Sequence, residues 1–235
     1  MSIADNVARI KERICQAAQR AGRSADSVVL MAVSKTVEPE RVRQAYSAGI
    51  RIFGENRVQE FSEKATSLQD LIGVEWHLIG HLQTNKAKAA VELFDGLDSV
   101  DSLRLAHKVN QAAQQNGKRL PMLIEINVGG ESNKSGLAAD SPELEEFLRQ
   151  IPSLEHLEVR GLMTIPPFTE DPQGARPYFR KLRELRDSIA ARKLPKIQMD
   201  VISMGMSHDY EIAVEEGSTC VRVGSALFGA RPQTQ

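Results

Sequence analysis

Eight short apolar runs, separated by stretches of helical periodicity, constrain this chain more than any other feature of it. They read VVLMAVS (28–34), IRIF (50–53), EWHLI (75–79), LDSV (97–100), MLIEINV (122–128), EVRGLMTI (158–165), DVISM (200–204) and CVRVG (220–224). Short continuous apolar runs rich in β-branched residues suit strands that are buried on both faces, whereas a half-solvated strand alternates apolar with polar. Between them lie amphipathic segments. Val42, Ala45 and Ala48 share a face behind Pro39, and RVQEFSEKATSLQDL, SLRLAHKVNQAAQQNG and SPELEEFLRQI follow later runs. The stretch opened by DPQ carries Phe179, Leu182, Leu185 and Ile189 at helical spacing. Strand followed by helix, repeated through the chain, predicts parallel pairing, because a helical crossover returns each strand in the same direction.

Eight strands in one series, with no linker, low-complexity tract or shift in composition over 235 residues, predict a single (β/α)8 barrel of the α/β class. An open doubly wound sheet is the alternative. No length remains for a second domain, so residues 1–235 are expected to form one unit. An extra helix opens the chain, with Ile3, Val7, Ile10, Ile14, Ala17 and Ala21 at helical spacing and Gly22 where a C-terminal cap belongs. It is expected to cover a barrel end. Only SALFGARPQTQ follows the eighth strand, which leaves room for a stub of a last helix.

Thirty Lys and Arg against 31 Asp and Glu give a formal charge of -1, so no global field favours nucleic acid or an acidic membrane, and any anion site must be local. Cys15 and Cys220 stand far apart without a CxxC partner, which argues against a disulfide framework or a zinc site. His77 and His81 fall on a strand and a loop with no third ligand, so no metal is expected there. Asp5, Arg9, Lys11, Glu12 and Arg13 interrupt the apolar residues of the opening segment as no signal peptide would allow, and no other segment is apolar enough to cross a membrane. The expected location is cytoplasmic.

Barrels of this kind gather chemistry where strands end and loops begin. Those edges present Ser34 and Lys35; Gly54, Glu55 and Asn56; His77, Gly80 and His81; Asp98 and Asp101; Asn127; Met163 and Thr164; Ser203 to Ser207; and Arg222, Gly224 and Ser225. A lysine directly after VVLMAVS projects into the barrel mouth, where desolvation lowers its pKa and frees an amine able to form a Schiff base. A lysine that ends a strand and reaches water is the plainer reading. The loops SMGMS and RVGSALFG follow the seventh and eighth strands, the common place for a phosphate, with Ser203, Gly205, Gly224 and Ser225 as donors and Arg222 pointing inward. Tight turns use the same residues, and a cofactor-free aldolase would need a similar cradle. Glu55, Asp98 and Asp101 suit either acid–base work or helix capping, with capping preferred at Asp101 and Ser102.

The motifs AVSKT (32–36), FGENRVQE (53–60), WHLIGHLQTNK (76–86), ESNKSG (131–136), RGLMTIPP (160–167), MGMSHDYEIAVEEGST (204–219) and VRVGSALFGAR (221–231) occur in order along almost the whole chain. In them the sequence resembles the YggS/PROSC group, the pyridoxal phosphate homeostasis proteins, related to the barrel domain of alanine racemase. Tyr210, Ile212 and Val214 vary only less constrained positions of one motif. The resemblance implies pyridoxal 5'-phosphate as a Schiff base on Lys35, its phosphate around Ser203, Gly224 and Ser225, and Arg222 facing the pyridine nitrogen. Asn56 would contact the cofactor, with Met163 and His77 packed near the ring.

Arginine keeps its proton, so a ring nitrogen facing Arg222 stays an unprotonated acceptor and the ring is a weak electron sink. Racemases related to this arrangement use a second domain with a tyrosine base, for which no residues remain. The group resembled is regarded as non-catalytic, acting in vitamin B6 homeostasis, so no catalytic residue is assigned. The implied partners are pyridoxal phosphate and other B6 vitamers, with transient contact to apo-enzymes, in a monomer. A single-domain racemase or lyase acting on small amino acids is the competing reading. Lys86 and Lys134 are candidates for auxiliary amines in cofactor exchange, against the plainer reading of surface lysines.

Overall fold

A computed structural model describes residues 2–131 and 134–229. Each apolar run forms a strand: β1 (Val29–Val33), β2 (Ile52–Glu55), β3 (Glu75–Leu78), β4 (Gly96–Val100), β5 (Leu120–Asn127), β7 (Leu157–Met163), β8 (Ile197–Met206) and β9 (Cys220–Val223). All pair in parallel in the order β4-β3-β2-β1-β9-β8-β7-β5, and β4 pairs with β5 to close the barrel. A two-residue strand, β6 (Leu137–Ala138), adds to the end of β5 beside Ile126 and Asn127. It is too short to leave a periodic signal in the sequence.

The second strand begins two residues later than IRIF suggests. Helix α2 (Pro39–Ser47) ends through Gly49 at φ 90°, and the Ile50 N–H bonds back to the Ala45 carbonyl, so Ile50 belongs to the helix exit. This shift brings Gly54 and Glu55 into the strand. The remaining outer helices are α3 (Val58–Leu68), α4 (Ala87–Leu93), α5 (Leu103–Gln115), α6 (Pro142–Gln150), α7 (Arg176–Ala191), α8 (Tyr210–Glu215) and α9 (Ser225–Phe228). Ser102 caps α5 by accepting from the Leu105 N–H, while Asp101 turns to His81.

The opening helix α1 (Ile3–Arg20) lies along the barrel wall and does not cover an end. Its buried Ile3, Val7, Ile10, Ile14, Ala17 and Ala18 pack in one cluster with Leu30 and Ala32 of β1 and Val221 and Val223 of β9. The reason is the last helix. Four residues of α9 cannot cover the outward faces of β9 and β1, so α1 fills that place in the ring, against α8, α9 and α2. Burying the apolar stripe of α1 there is worth about 1.5–3 kcal/mol for each large side chain removed from water.

Elsewhere the wall between sheet and helices holds Phe53, Phe61, Trp76 and Phe94, with Phe53 and Trp76 stacked at 5.0 Å between ring centroids. The inner face of the barrel is different. Met31, Val33, Ile79 and Cys220 form a small apolar cluster, and alongside these lie the buried polar side chains Glu55, Asp98, Glu125, Ser203 and Arg222. In an interior this polar any group left unpaired is costly.

Candidate functional site at the barrel mouth

Lys35 follows β1, and the chain on both sides of it is fixed by groups from β2 and α3. The Ser34 N–H donates to the Gly54 carbonyl at 3.0 Å, and Ser34 Oγ donates to Glu55 Oε1 at 2.5 Å. Lys64 of α3 donates to the Ser34 carbonyl at 2.7 Å and pairs with Glu55 Oε1 at 2.8 Å. Beyond Lys35, the Thr36 N–H donates to Glu60, which holds Thr36 in the left-handed region at φ 61°. Burial pushes the Glu55 carboxyl above its ordinary range, against the pull of Lys64 and Ser34.

Lys35, Asn56, Arg222, Gly224 and Ser225, expected from the sequence to act together, line one cavity of about 310 Å³. Gly80 makes room for Asn56, since a Cβ there would fall 2.2 Å from the Asn56 carbonyl oxygen. At the far wall the Gly224 and Ala226 N–H groups both donate to Ser207 Oγ at 3.2 Å, and Ser207 itself lines the cavity. The loop carrying Ser207 is closed by Asp209, whose Oδ1 accepts from the Met206 N–H at 2.6 Å. Two backbone donors converging on a hydroxyl oxygen are equally able to serve an anionic oxygen.

Arg222 is 3% exposed; its Nη1 donates to Ser203 Oγ at 2.7 Å and its Nη2 to the Thr164 carbonyl at 2.8 Å. Burial lowers its pKa, and the acidic groups Asp98, Asp209 and Glu125 work the other way. Ser203 is thereby occupied with Arg222 and is not among the residues lining the cavity; neither are Met163 and His77. Met163 is fully buried within the barrel. His77 faces Asp98, with Nδ1 2.8 Å from Oδ1, and its Nε2 lies 3.5 Å from Glu75.

Of the two auxiliary lysines, Lys134 pairs with Glu131 and lies at a neighbouring cavity, while Lys86 ends a short 3-10 turn and lines neither. Ser132 and Asn133 of the ESNKSG motif, and Ala230 and Arg231 of the last motif, lie outside the described residues. The sequence reading missed Lys64 and Glu60, and placed Ser207 at a strand edge without a role of its own. Lys64 and Glu60 come from a helix face, where charged residues are unremarkable, and Ser207 is one of several small polar residues in the SMGMS loop, which the sequence does not rank. Among the described residues no cluster of three or more His, Cys, Asp or Glu could hold a metal, and no helix is long and apolar enough to cross a membrane.

Residues 6–232 match the family described as alanine racemase, N-terminal domain. A pyridoxal phosphate homeostasis protein of Aquifex aeolicus is 45% identical over 232 residues, covering 98% of this chain and 99% of the relative. PipY of Synechococcus elongatus, solved with pyridoxal phosphate bound, superposes with a TM-score of 0.83 at 36% identity, over 97% of this chain and 100% of PipY. An alanine racemase of Clostridium difficile shares the fold with a TM-score of 0.70 at 17% identity, over 97% of this chain but 58% of the racemase.

Proposed function

Since the chain belongs to the alanine racemase N-terminal domain family, and within it to the pyridoxal phosphate homeostasis proteins, we propose that it binds pyridoxal 5'-phosphate at the barrel mouth as part of vitamin B6 homeostasis. The observation that carries this reading is the sharing of one cavity by Lys35, Arg222, Gly224 and Ser207, with the Gly224 and Ala226 N–H groups converging on the Ser207 hydroxyl. A cavity of about 310 Å³ is of the size that takes a small cofactor. An amine, an anion cradle and a planar donor are the set an aromatic aldehyde phosphate requires, so the residues present fit the group.

In this reading Lys35 is the Schiff-base anchor. The Gly224 and Ala226 N–H groups turn from Ser207 to a phosphate oxygen, Ser225 adds its own donors, and Asn56 closes the side wall. Arg222 has donors only, so it holds a ring nitrogen facing it without a proton. Ser203 fixes the guanidinium from beneath, and Met163 and His77 support the barrel interior below the ring. The cofactor, when bound, supplies an electrophilic carbon and a conjugated ring. No residue is assigned to turnover, and the relatives carry the name of homeostasis proteins rather than of enzymes.

The single unit 1–235 is read as a cytoplasmic monomer that exchanges B6 vitamers and transiently meets apo-enzymes, with no part in nucleic-acid or membrane binding. Buffering, delivery or another route to homeostasis each agree with these residues. Borohydride reduction followed by peptide mass mapping tests the anchor: a pyridoxyl adduct on Lys35 supports it, and an adduct confined to other lysines refutes it. For the competing racemase or lyase reading, exchange of the α-proton of alanine or serine in deuterated water is the readout, and its absence removes that reading.

A further inference from the structure

A second cavity of about 310 Å³ adjoins the first, sharing Asn56, Ile79 and Ile165 as its walls. Its inner surface carries Glu125 of β5, 7% exposed, whose Oε2 is buried and has no hydrogen-bond partner among the described residues. The nearby donors are committed elsewhere: Arg222 to Ser203 and Thr164, and Lys134 at the rim to Glu131. His81 is 3.0 Å from Asp101, so the neighbourhood holds a second carboxylate. A buried carboxyl without a donor costs free energy whether it is charged or neutral. What Glu125 Oε2 lacks is a hydrogen-bond donor, and two carboxyls favour one that carries positive charge.

We propose that the second cavity is a subsite for the ammonium group of a small primary amine, with the Glu125 carboxylate as its hydrogen-bond acceptor. The apolar walls of Ile79 and Ile165 take the carbon skeleton, and the shared wall sets the ligand beside Lys35. Burial first, and the charge of Asp101 second, push the Glu125 carboxyl up to about 7, against the pull of Arg222 and His81. Arrival of an ammonium ion therefore releases the proton that the carboxyl holds near neutrality.

Calorimetric titration of the protein with ethanolamine tests this, after borohydride treatment so that no Schiff base is left to react with the added amine. The wild type is expected to bind ethanolamine, Glu125→Gln to bind it at least tenfold more weakly, and ethylene glycol to bind to neither. Equal binding by wild type and variant, no binding to wild type, or glycol binding as tightly as ethanolamine overturns the proposal. A second readout needs no variant at this position. In buffers of different ionisation enthalpy at pH 7, wild-type binding is expected to release about half a proton, given a carboxyl that titrates near that pH. His81→Gln must retain that release, which assigns it to Glu125 rather than to the imidazole; binding without release also overturns the proposal. The visible spectrum taken before borohydride reports separately on pyridoxal phosphate, so failure of the amine subsite and failure of the cofactor reading are told apart.

Discussion

Lys64 Nζ lies 2.8 Å from Glu55 Oε1, and the same ammonium group donates to the carbonyl of Ser34, the residue before Lys35. A helix on the outside of the barrel thus reaches through to fix the strand end that carries Lys35. Removing one partner of so buried a pair leaves the other uncompensated, so Lys64→Met is expected to cost about 3–5 kcal/mol in urea unfolding. Adding Glu55→Gln to that variant should recover part of the loss. A double-mutant cycle that shows no coupling between the two positions would refute this account of the loop.

His77 and Asp98 form a second buried pair. Burial alone would lower the imidazole pKa, but Asp98, helped by Glu75, outweighs it and pushes it up to about 10 from an ordinary 6.5. A histidine whose folded value is raised stabilises fully below its unfolded pKa, and that contribution is lost as pH rises through the folded value. Unfolding free energy of the wild type should therefore decline between pH 6.5 and 10. Asp98→Asn should start about 3–5 kcal/mol lower and lack this decline. A variant that tracks the wild-type pH profile would contradict the pairing.

On the proposed function, the Gly224 and Ala226 N–H groups that converge on Ser207 at the cavity wall make the phosphate the main handle on the ligand. Hydrogen bonds to a charged group are worth about 1.5–3 kcal/mol each, so pyridoxal phosphate is expected to bind at least about 100-fold more tightly than pyridoxal. Titration of the wild type with both compounds, followed by visible absorbance, checks this. Comparable affinities would show that the Gly224 and Ala226 donors do not hold the phosphate.

Ile10 of the opening helix is 1% exposed in the cluster that covers β9 and β1. Ile10→Ala should cost about 2–5 kcal/mol, the range for a large core side chain cut to a methyl group. Thermal or urea unfolding measures it, and a loss below about 0.5 kcal/mol, normal for a surface position, would mean that α1 is an appendage rather than a wall of the barrel.

The barrel was legible because its strands are buried on both sides, which writes them as apolar runs such as VVLMAVS whatever lies around them. The place of α1 was not, since an amphipathic stripe says that a helix is buried without saying against what. That Lys35, Asn56, Arg222, Gly224 and Ser225 line one cavity was legible because strand ends map onto one rim. The Ser203 hydroxyl accepts from Arg222, a contact between neighbouring strands beside the register shift of β8 and β9 that no strand-edge pattern displays. The supports of the Lys35 loop, Lys64 and Glu60, stand on a helix whose charges look like ordinary solvent-facing residues until the tertiary fold turns them inward.

The most direct test of the central claim is the visible absorbance spectrum of the purified protein, supplied with pyridoxal phosphate, before and after borohydride, beside the Lys35→Ala variant. A yellow band in the wild type, abolished by borohydride and missing from Lys35→Ala, is the expected result. A wild type that stays colourless with added pyridoxal phosphate, or a variant with the same reducible band, would contradict it.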